Sequence, residues 1–232
     1  MDPTQLIESN YTFTKESKYT PIGSNARIIQ GMDRTGLYQL FAKLGYKVGC
    51  EIGLEQGRNA LEMCVNIPGL KIYGVDPYKQ HPQASYVYDA ELRHWDEKYL
   101  NKMKAKALAH MEGQDFTLIE KFSEDAARDI PDNSLDFAYI DADHSYDFVM
   151  QDIILWGRKV KKGGILSGHD YFYNKDRPGR RAKVTQAVDD YTRVHGINFY
   201  ITNEDHYEKR GDFYPSWFWV KISDVWPNVV GF

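Results

Sequence analysis

The stretch between Leu135 and Tyr171 restricts the fold more than any other part of the chain, because it sets polar clusters directly after two runs suited to buried strands. LDFAYI and GGILSG are short apolar runs of the kind found in parallel strands covered on both faces. Between them, Phe148, Val149, Ile153, Ile154, Trp156 and Val160 recur at roughly helical spacing over Tyr146 to Val160, so the unit is strand–helix–strand. Both strands of such a unit end on the same edge of the sheet, and open α/β sheets bind ligands at that edge. Asp141, Asp143 and His144 are therefore expected to face His169 and Asp170 across a cleft.

The rest of the sequence extends this unit into one α/β domain. At 232 residues the chain is long enough to bury a core without a disulfide or structural metal. YKVGCEIG reads as the first strand, LEQGR as a turn, and about Asn59 to Val65 as a helix ended by Pro68 and Gly69. LKIYGVDPY supplies a second strand finishing at Asp76. Pro77 to about Arg93 is a long polar and aromatic connection before a helix over about Trp95 to Met111, and connections of that length are often functional. DFTLIEKF is a third strand, and SEDAARDI a short helix that Ser123 is placed to cap. VTQAVDDYTRV is a late helix, and INFYIT and FYPSWFWVKI are closing strands. The alternation predicts a doubly wound, mainly parallel sheet with an antiparallel strand added by a terminal hairpin. Before the first strand, Ala26 to Leu44 reads as a helix interrupted at Gly31 and Gly36, and residues 1–24 read as an arm or lid, leaving 25–232 as the domain.

Composition excludes some partners. The formal net charge is −4, which argues against a general nucleic-acid footprint, although Lys175, Arg177, Arg180, Arg181 and Lys183 make one basic loop beside the expected cleft. A solvated loop is the favoured reading of it. The opening MDPTQLIESNYTF has neither the basic start nor the apolar core of a signal peptide, and no window approaches the roughly 20 apolar residues that span a bilayer. Cys50 and Cys64 are expected to be reduced thiols, in keeping with a cytoplasmic setting. Trp217, Phe218 and Trp219 belong to the core or to a contact between copies, so a homo-oligomer stays open.

The candidate ligand residues sit where the strands end. Glu51, Gly53 and Gly57 border the turn after the first strand, where glycine lets a ligand approach the backbone closely. Asp76, at the end of the second strand, is placed to accept hydrogen bonds from two ribose hydroxyls. Gly53 and Gly57 are separated by Leu-Glu-Gln, unlike the dinucleotide fingerprint, and Glu51 and Glu55 would repel a pyrophosphate. S-adenosylmethionine, with ammonium and sulfonium groups, suits that field better than NAD.

On these residues the chain resembles the class I S-adenosylmethionine-dependent methyltransferases, in particular the bacterial family (methyltransferase domain 24-like) with one strand ending in IDADHSY and a later one in GGILSGHDY. The resemblance spans roughly Lys47 to Val220 and implies a single-domain, Rossmann-like fold with a seven-stranded, mainly parallel sheet and an antiparallel closing strand. It implies that Glu51, Gly53 and Gly57 border the methionine part of the cofactor, and that Asp76 binds the ribose. Pro77 and Tyr78 would flank the adenosine, Ser123 and Glu124 would lie near the adenine, and Asp141 would border the bound cofactor. Many family members have glycine where this chain has Glu55.

Transfer to a hydroxyl needs its proton removed, either by a base or by a divalent cation that lowers its pKa. Asp141, His169 and Asp170 are candidate ligands for magnesium or manganese, with Asp141 and His144 as the catalytic pair and His144 as the base. The set is similar to that of metal-dependent O-methyltransferases acting on catechols and sugars, which usually have an Asp where this chain has His169. Imidazole favours manganese, iron or zinc over magnesium. The expected activity is O-methylation of a small molecule, a sugar or polyhydroxylated compound. A dinucleotide-dependent oxidoreductase and a non-catalytic S-adenosylmethionine-binding protein are the alternatives.

Overall fold

Strand β6 (Leu135–Ile140) is buried at all six positions, as a strand must be when it lies in mid-sheet with helices on both faces. Its neighbours are β3 (Val48–Ile52) and β7 (Val160–Gly168), both parallel to it. The computed structural model describes residues 2–14, 24–80, 96–171, 182–202 and 214–226. From β3 the chain runs through α3 (Arg58–Asn66), β4 (Lys71–Val75), α4 (Glu97–His110), β5 (Asp115–Ile119) and α5 (Ser123–Asp129). It then crosses back to β6, and continues through α6 (Tyr146–Lys159), β7, α7 (Ala182–Val194), β8 (Tyr200–Thr202) and β9 (Trp217–Val220).

The strand order across the sheet is β1-β2-β8-β9-β7-β6-β3-β4-β5, where β1 is Phe13–Thr14 and β2 is Arg27–Ile29. β4 and β5 lie on one side of β3, and β6 and β7 on the other, so the crevice between β3 and β6 is a topological switch point. β9 runs antiparallel to both β7 and β8, which is the expected closing hairpin. Two core clusters sandwich the sheet: one gathers residues of α5, α6 and α7, the other residues of α2 (Arg34–Lys43), α3 and α4. Trp217 and Trp219 enter the first cluster and Phe218 the second, so the aromatic triplet is core. Cys50 is buried and Cys64 half-buried, both free thiols.

The seven expected strands are joined by two more, and the extra pair corrects the reading of the segment before β3. The helix expected over Ala26 to Leu44, interrupted at Gly31 and Gly36, is replaced by β2 and α2. Ile28 and Ile29 are adjacent and both buried, one in each core cluster, which only a strand permits. β2 pairs with β8, a segment far along the chain, so the partner that extends it cannot be read from local periodicity. The first residues dock on the same edge through α1 (Pro3–Asn10), where Ile7 is fully buried and Glu8 accepts a 2.7 Å bond from the Tyr200 hydroxyl. Residues 15–23 of the expected arm and most of the 77–93 connection lie outside the described residues. No helix among the described residues is long and apolar enough to cross a membrane.

Candidate active site at the carboxyl ends of the central strands

Glu51, the fourth residue of β3, is only 1% exposed, and its Oε1 accepts a 2.6 Å bond from the Asn59 side chain. Asn59 is held in turn by the Tyr38 hydroxyl. The other carboxylate oxygen, Oε2, is buried without a hydrogen-bond partner, an arrangement that burial alone makes costly. Burial pushes the Glu51 pKa up to about 8, against the opposing Asn59 bond. A carboxylate poised in this way gains from any cation brought to Oε2.

Two residues on, Gly53 has φ +91, and a Cβ there would lie 2.0 Å from the Asp141 carbonyl oxygen. Its bareness is what lets the end of β3 close on the end of β6, a junction sealed by the Asp141 amide donating to Ile52 at 2.7 Å. Gly57 forms the N-cap of α3.

Asp76 follows β4 and does structural work within the loop. Its two oxygens accept from the Glu55 and Tyr78 amides at 2.9 and 2.8 Å. Both donors have left-handed backbones, φ 46 and φ 45, a conformation costing a non-glycine residue about 1–3 kcal/mol unless its surroundings hold it there. The backbone at Glu55 thus follows a path glycine would favour, with its carboxylate accepting from the Tyr99 hydroxyl at 3.2 Å. Burial raises the Asp76 pKa to about 6, and the two amide bonds resist the rise. Pro77 is half-buried beside it, whereas Tyr78 turns into the core, 5% exposed, its hydroxyl donating to the Glu55 carbonyl.

Ser123 does not cap α5, because Phe122 occupies the N-cap position. Ser123 opens the helix itself, donates to Asp152 and accepts a 2.8 Å bond from the Trp156 indole. Asp152 is 3% exposed, and burial raises its pKa to about 7 against the Ser123 bond. Glu124 lines a groove of about 570 Å³ between α5 and α6 that includes none of the residues at the ends of β3, β4, β6 and β7.

Across the switch point, Asp141, His144, His169 and Asp170 converge. His144 Nε2 lies 3.0 Å from Asp170 Oδ2 and 3.5 Å from Asp141 Oδ1. His169 Nδ1 is more distant, 3.6 Å from Asp170 Oδ1 and 3.8 Å from Asp141 Oδ2. Burial works against a charged His144 ring, but the two carboxylates outweigh it and push its pKa up to about 10. Burial would raise Asp170, yet its contacts with His144 and His169 hold it well below the usual carboxylate range. Asp143 is a turn residue whose carboxylate accepts from the Ser145 amide at 2.7 Å.

Asp141, His144 and Asp170 each offer one ligand atom, all within 4.8 Å of one another. Two carboxylates and an imidazole at that spacing fit a divalent cation. Among the described residues, His144 and not His169 completes this group. Sequence reasoning also missed Arg34, whose charge favours ionised Glu51, and Asn59, which holds it. Arg34 opens α2, and only packing brings it beside β3. Of the basic loop, only Lys183 lies within the described residues, half-buried in α7.

A family profile described as Methyltransferase domain matches residues 50–171. Among solved structures, the chain is similar to an O-methyltransferase from Bacillus cereus in complex with S-adenosylhomocysteine (TM-score 0.55, 13% identity, 81% of this chain and 80% of that one covered). It is also similar to the O-methyltransferase TomG of Streptomyces achromogenes, involved in tomaymycin synthesis and solved with S-adenosylmethionine (0.54, 10% identity, 82% and 80%). A third is precorrin-6y C5,15-methyltransferase from Geobacter metallireducens (0.50, 15% identity, 79% and 84%). At these identities the likeness concerns the fold. No curated protein matches the sequence.

Proposed function

We propose, for a chain that belongs to the methyltransferase domain family, that it transfers the methyl group of S-adenosylmethionine to a hydroxyl of a small molecule, a sugar or polyhydroxylated compound, with a divalent cation assisting. Its fold is that of the class I S-adenosylmethionine-dependent methyltransferases. The observation that carries the acceptor half of the reading is the meeting of Asp141, His144 and Asp170 at the end of β6 and β7, one strand from Glu51.

Each half has a chemical rationale. The unpartnered Glu51 oxygen suits the cofactor ammonium, and Asp76, with lone pairs to spare beyond its two amide bonds, suits the ribose hydroxyls. The acceptor oxygen attacks the methyl carbon, the carbon–sulfur bond breaks with its pair remaining on sulfur, and the hydroxyl proton must leave. In the arrangement described, His144 holds a proton at neutral pH because it balances two carboxylates, and so cannot take another. A divalent cation held by Asp141, His144 and Asp170 would supply that balancing charge and lower the pKa of the acceptor hydroxyl. His144 then stands as base or as ligand, and His169 lies close enough to orient Asp170.

The test incubates the protein and methyl-labelled S-adenosylmethionine with a panel of sugars and polyhydroxylated aromatics, with manganese or with excess chelator. Label on oxygen, lost in chelator, is expected. Label on nitrogen or carbon overturns the hydroxyl assignment, and full transfer in chelator overturns the metal assistance.

A further inference from the structure

Asp170 has φ 58, a backbone that an aspartate holds only under constraint, and the residues on either side of it supply that constraint. His169 is fixed through its backbone: its amide donates to Ile140 at 3.0 Å, and its carbonyl accepts from the Trp217 indole at 3.1 Å. Trp217 reaches that carbonyl because the preceding residue is Gly168, where a Cβ would lie 2.4 Å from the Trp217 ring. On the other side, Tyr171 is fully buried, its amide donates to Pro215 at 3.1 Å, and its ring packs edge-on against Phe199. Its hydroxyl lies 2.8 Å from both Asp189 Oδ1 and Ser24 Oγ, and Ser24 Oγ lies 2.9 Å from the same Asp189 oxygen, so that with Tyr171 donating to Asp189 the Ser24 proton is shared between Tyr171 and Asp189.

We infer that Tyr171 is a positioning residue, which through its hydroxyl bond to Asp189 on α7 and to Ser24 holds the Asp170 carboxylate at the place where it meets His144 and Asp141. The inference rests on the reading of Asp170 as a cation ligand. Ring packing alone would keep Tyr171 in the core, but a ring can tilt about its contact with Phe199, and the backbone before it tilts with it. The hydroxyl bonds to α7 and to Ser24 remove that freedom. Since Asp170 is the adjacent residue and already strained, small rotations at Tyr171 move its carboxylate directly. Outer residues that orient a metal ligand typically change metal affinity about 10–100-fold when removed.

Tyr171→Phe keeps the ring and deletes the hydroxyl, and Asp189→Asn weakens the same bond from the other end. Manganese alone is titrated into each protein and followed by electron paramagnetic resonance, with S-adenosylmethionine affinity measured by calorimetry and the melting temperature recorded. Manganese affinity is expected to fall about 10–100-fold in Tyr171→Phe, with cofactor affinity within about twofold of wild type and the double variant no worse than the stronger single one. Unchanged manganese affinity in both single variants, or a loss that follows melting temperature and cofactor affinity alike, overturns the inference. Should the wild-type protein bind no manganese, the metal reading fails by itself. The imidazole resonances of His144, 3.0 Å from Asp170, then decide at a single pH. Displaced resonances in Tyr171→Phe support positioning, and unmoved ones refute it. If Tyr171→Phe does not fold, Asp189→Asn carries the same comparison.

Discussion

Replacing Glu51 with Gln should stabilise the protein and weaken its cofactor binding at the same time. The folded chain holds a proton on Glu51 up to about pH 8, against an ordinary value of 4.5. Because the folded state binds the proton more tightly than the unfolded one, this group's contribution to stability is fully present below pH 4.5 and is lost as pH rises to about 8. At pH 7 the loss spans 2.5 pH units, or about 3 kcal/mol at 1.36 kcal/mol per unit. Glutamine keeps the acceptor for Asn59 and never ionises, so Glu51→Gln should gain most of that at pH 7 and less than about 1 kcal/mol at pH 5. For a chain of this length, about 3 kcal/mol corresponds to roughly 6–12 °C in melting temperature. Thermal melts of both proteins from pH 5 to 8.5 measure the difference. Calorimetry should show the variant binding S-adenosylmethionine about 10–100-fold more weakly, since a hydrogen bond between charged groups contributes about 1.5–3 kcal/mol. Methylthioadenosine, which lacks the amino-acid end, should bind both proteins alike. A pH-independent melting difference refutes the burial argument, and equal losses for the two ligands refute the placement of the ammonium at Glu51.

Asp76→Ala should weaken S-adenosylmethionine binding by about 1–3 kcal/mol, and because it also frees the Glu55 and Tyr78 amides it should lower the melting temperature, which a purely ribose-binding role would not; calorimetry and melts separate the two. Gly53→Ala should destabilise by at least about 2 kcal/mol in urea unfolding, because φ +91 and the Asp141 carbonyl both oppose a side chain; a loss under about 0.5 kcal/mol would show that the strand ends are free to part. His144→Ala should lower single-turnover methylation about 10²–10⁴-fold with S-adenosylmethionine affinity nearly unchanged, and a rate within about threefold of wild type would leave His144 a structural residue. Measuring manganese affinity in that variant divides ligand from base, since loss of a base that does not touch the metal leaves its affinity unchanged.

Legibility in the sequence followed the reach of each residue's contacts. LDFAYI and GGILSG were readable as buried strands because their surroundings are apolar on both faces, and Asp141, His169 and Asp170 follow at once from where those strands stop. Ile28 and Ile29 were not readable as a strand, since a three-residue strand carries too little period and its partner β8 lies some 170 positions later, Arg27 pairing with Tyr200. Ser123 is a residue type favoured at helix N-caps, yet its hydroxyl is engaged by Asp152 and Trp156 on α6. The sequence offered His169 as the ligand and His144 as the base, whereas it is His144 that lies 3.0 Å from Asp170, with His169 at 3.6 Å, a difference in distance that only the folded chain shows.

The sequence alone determined the alternation of strand and helix from β3 onward, and with it the edge of the sheet on which every candidate group falls, because periodicity and breakers act over a few residues. The tertiary structure alone decided which of those groups meet. One Glu51 oxygen was engaged by Asn59 of α3 and the other left buried without a partner, Asp76 was turned to its own loop by the amides of Glu55 and Tyr78, and Asp170 was set against His144 by neighbours anchored on α7, β9 and Ser24. The bonds from Glu55 to Asp76 and from His144 to Asp170 join residues more than 20 positions apart at about 3 Å, and hydrogen bonds and ion pairs weaken steeply beyond that range, so no pattern in the linear chain stands in for them.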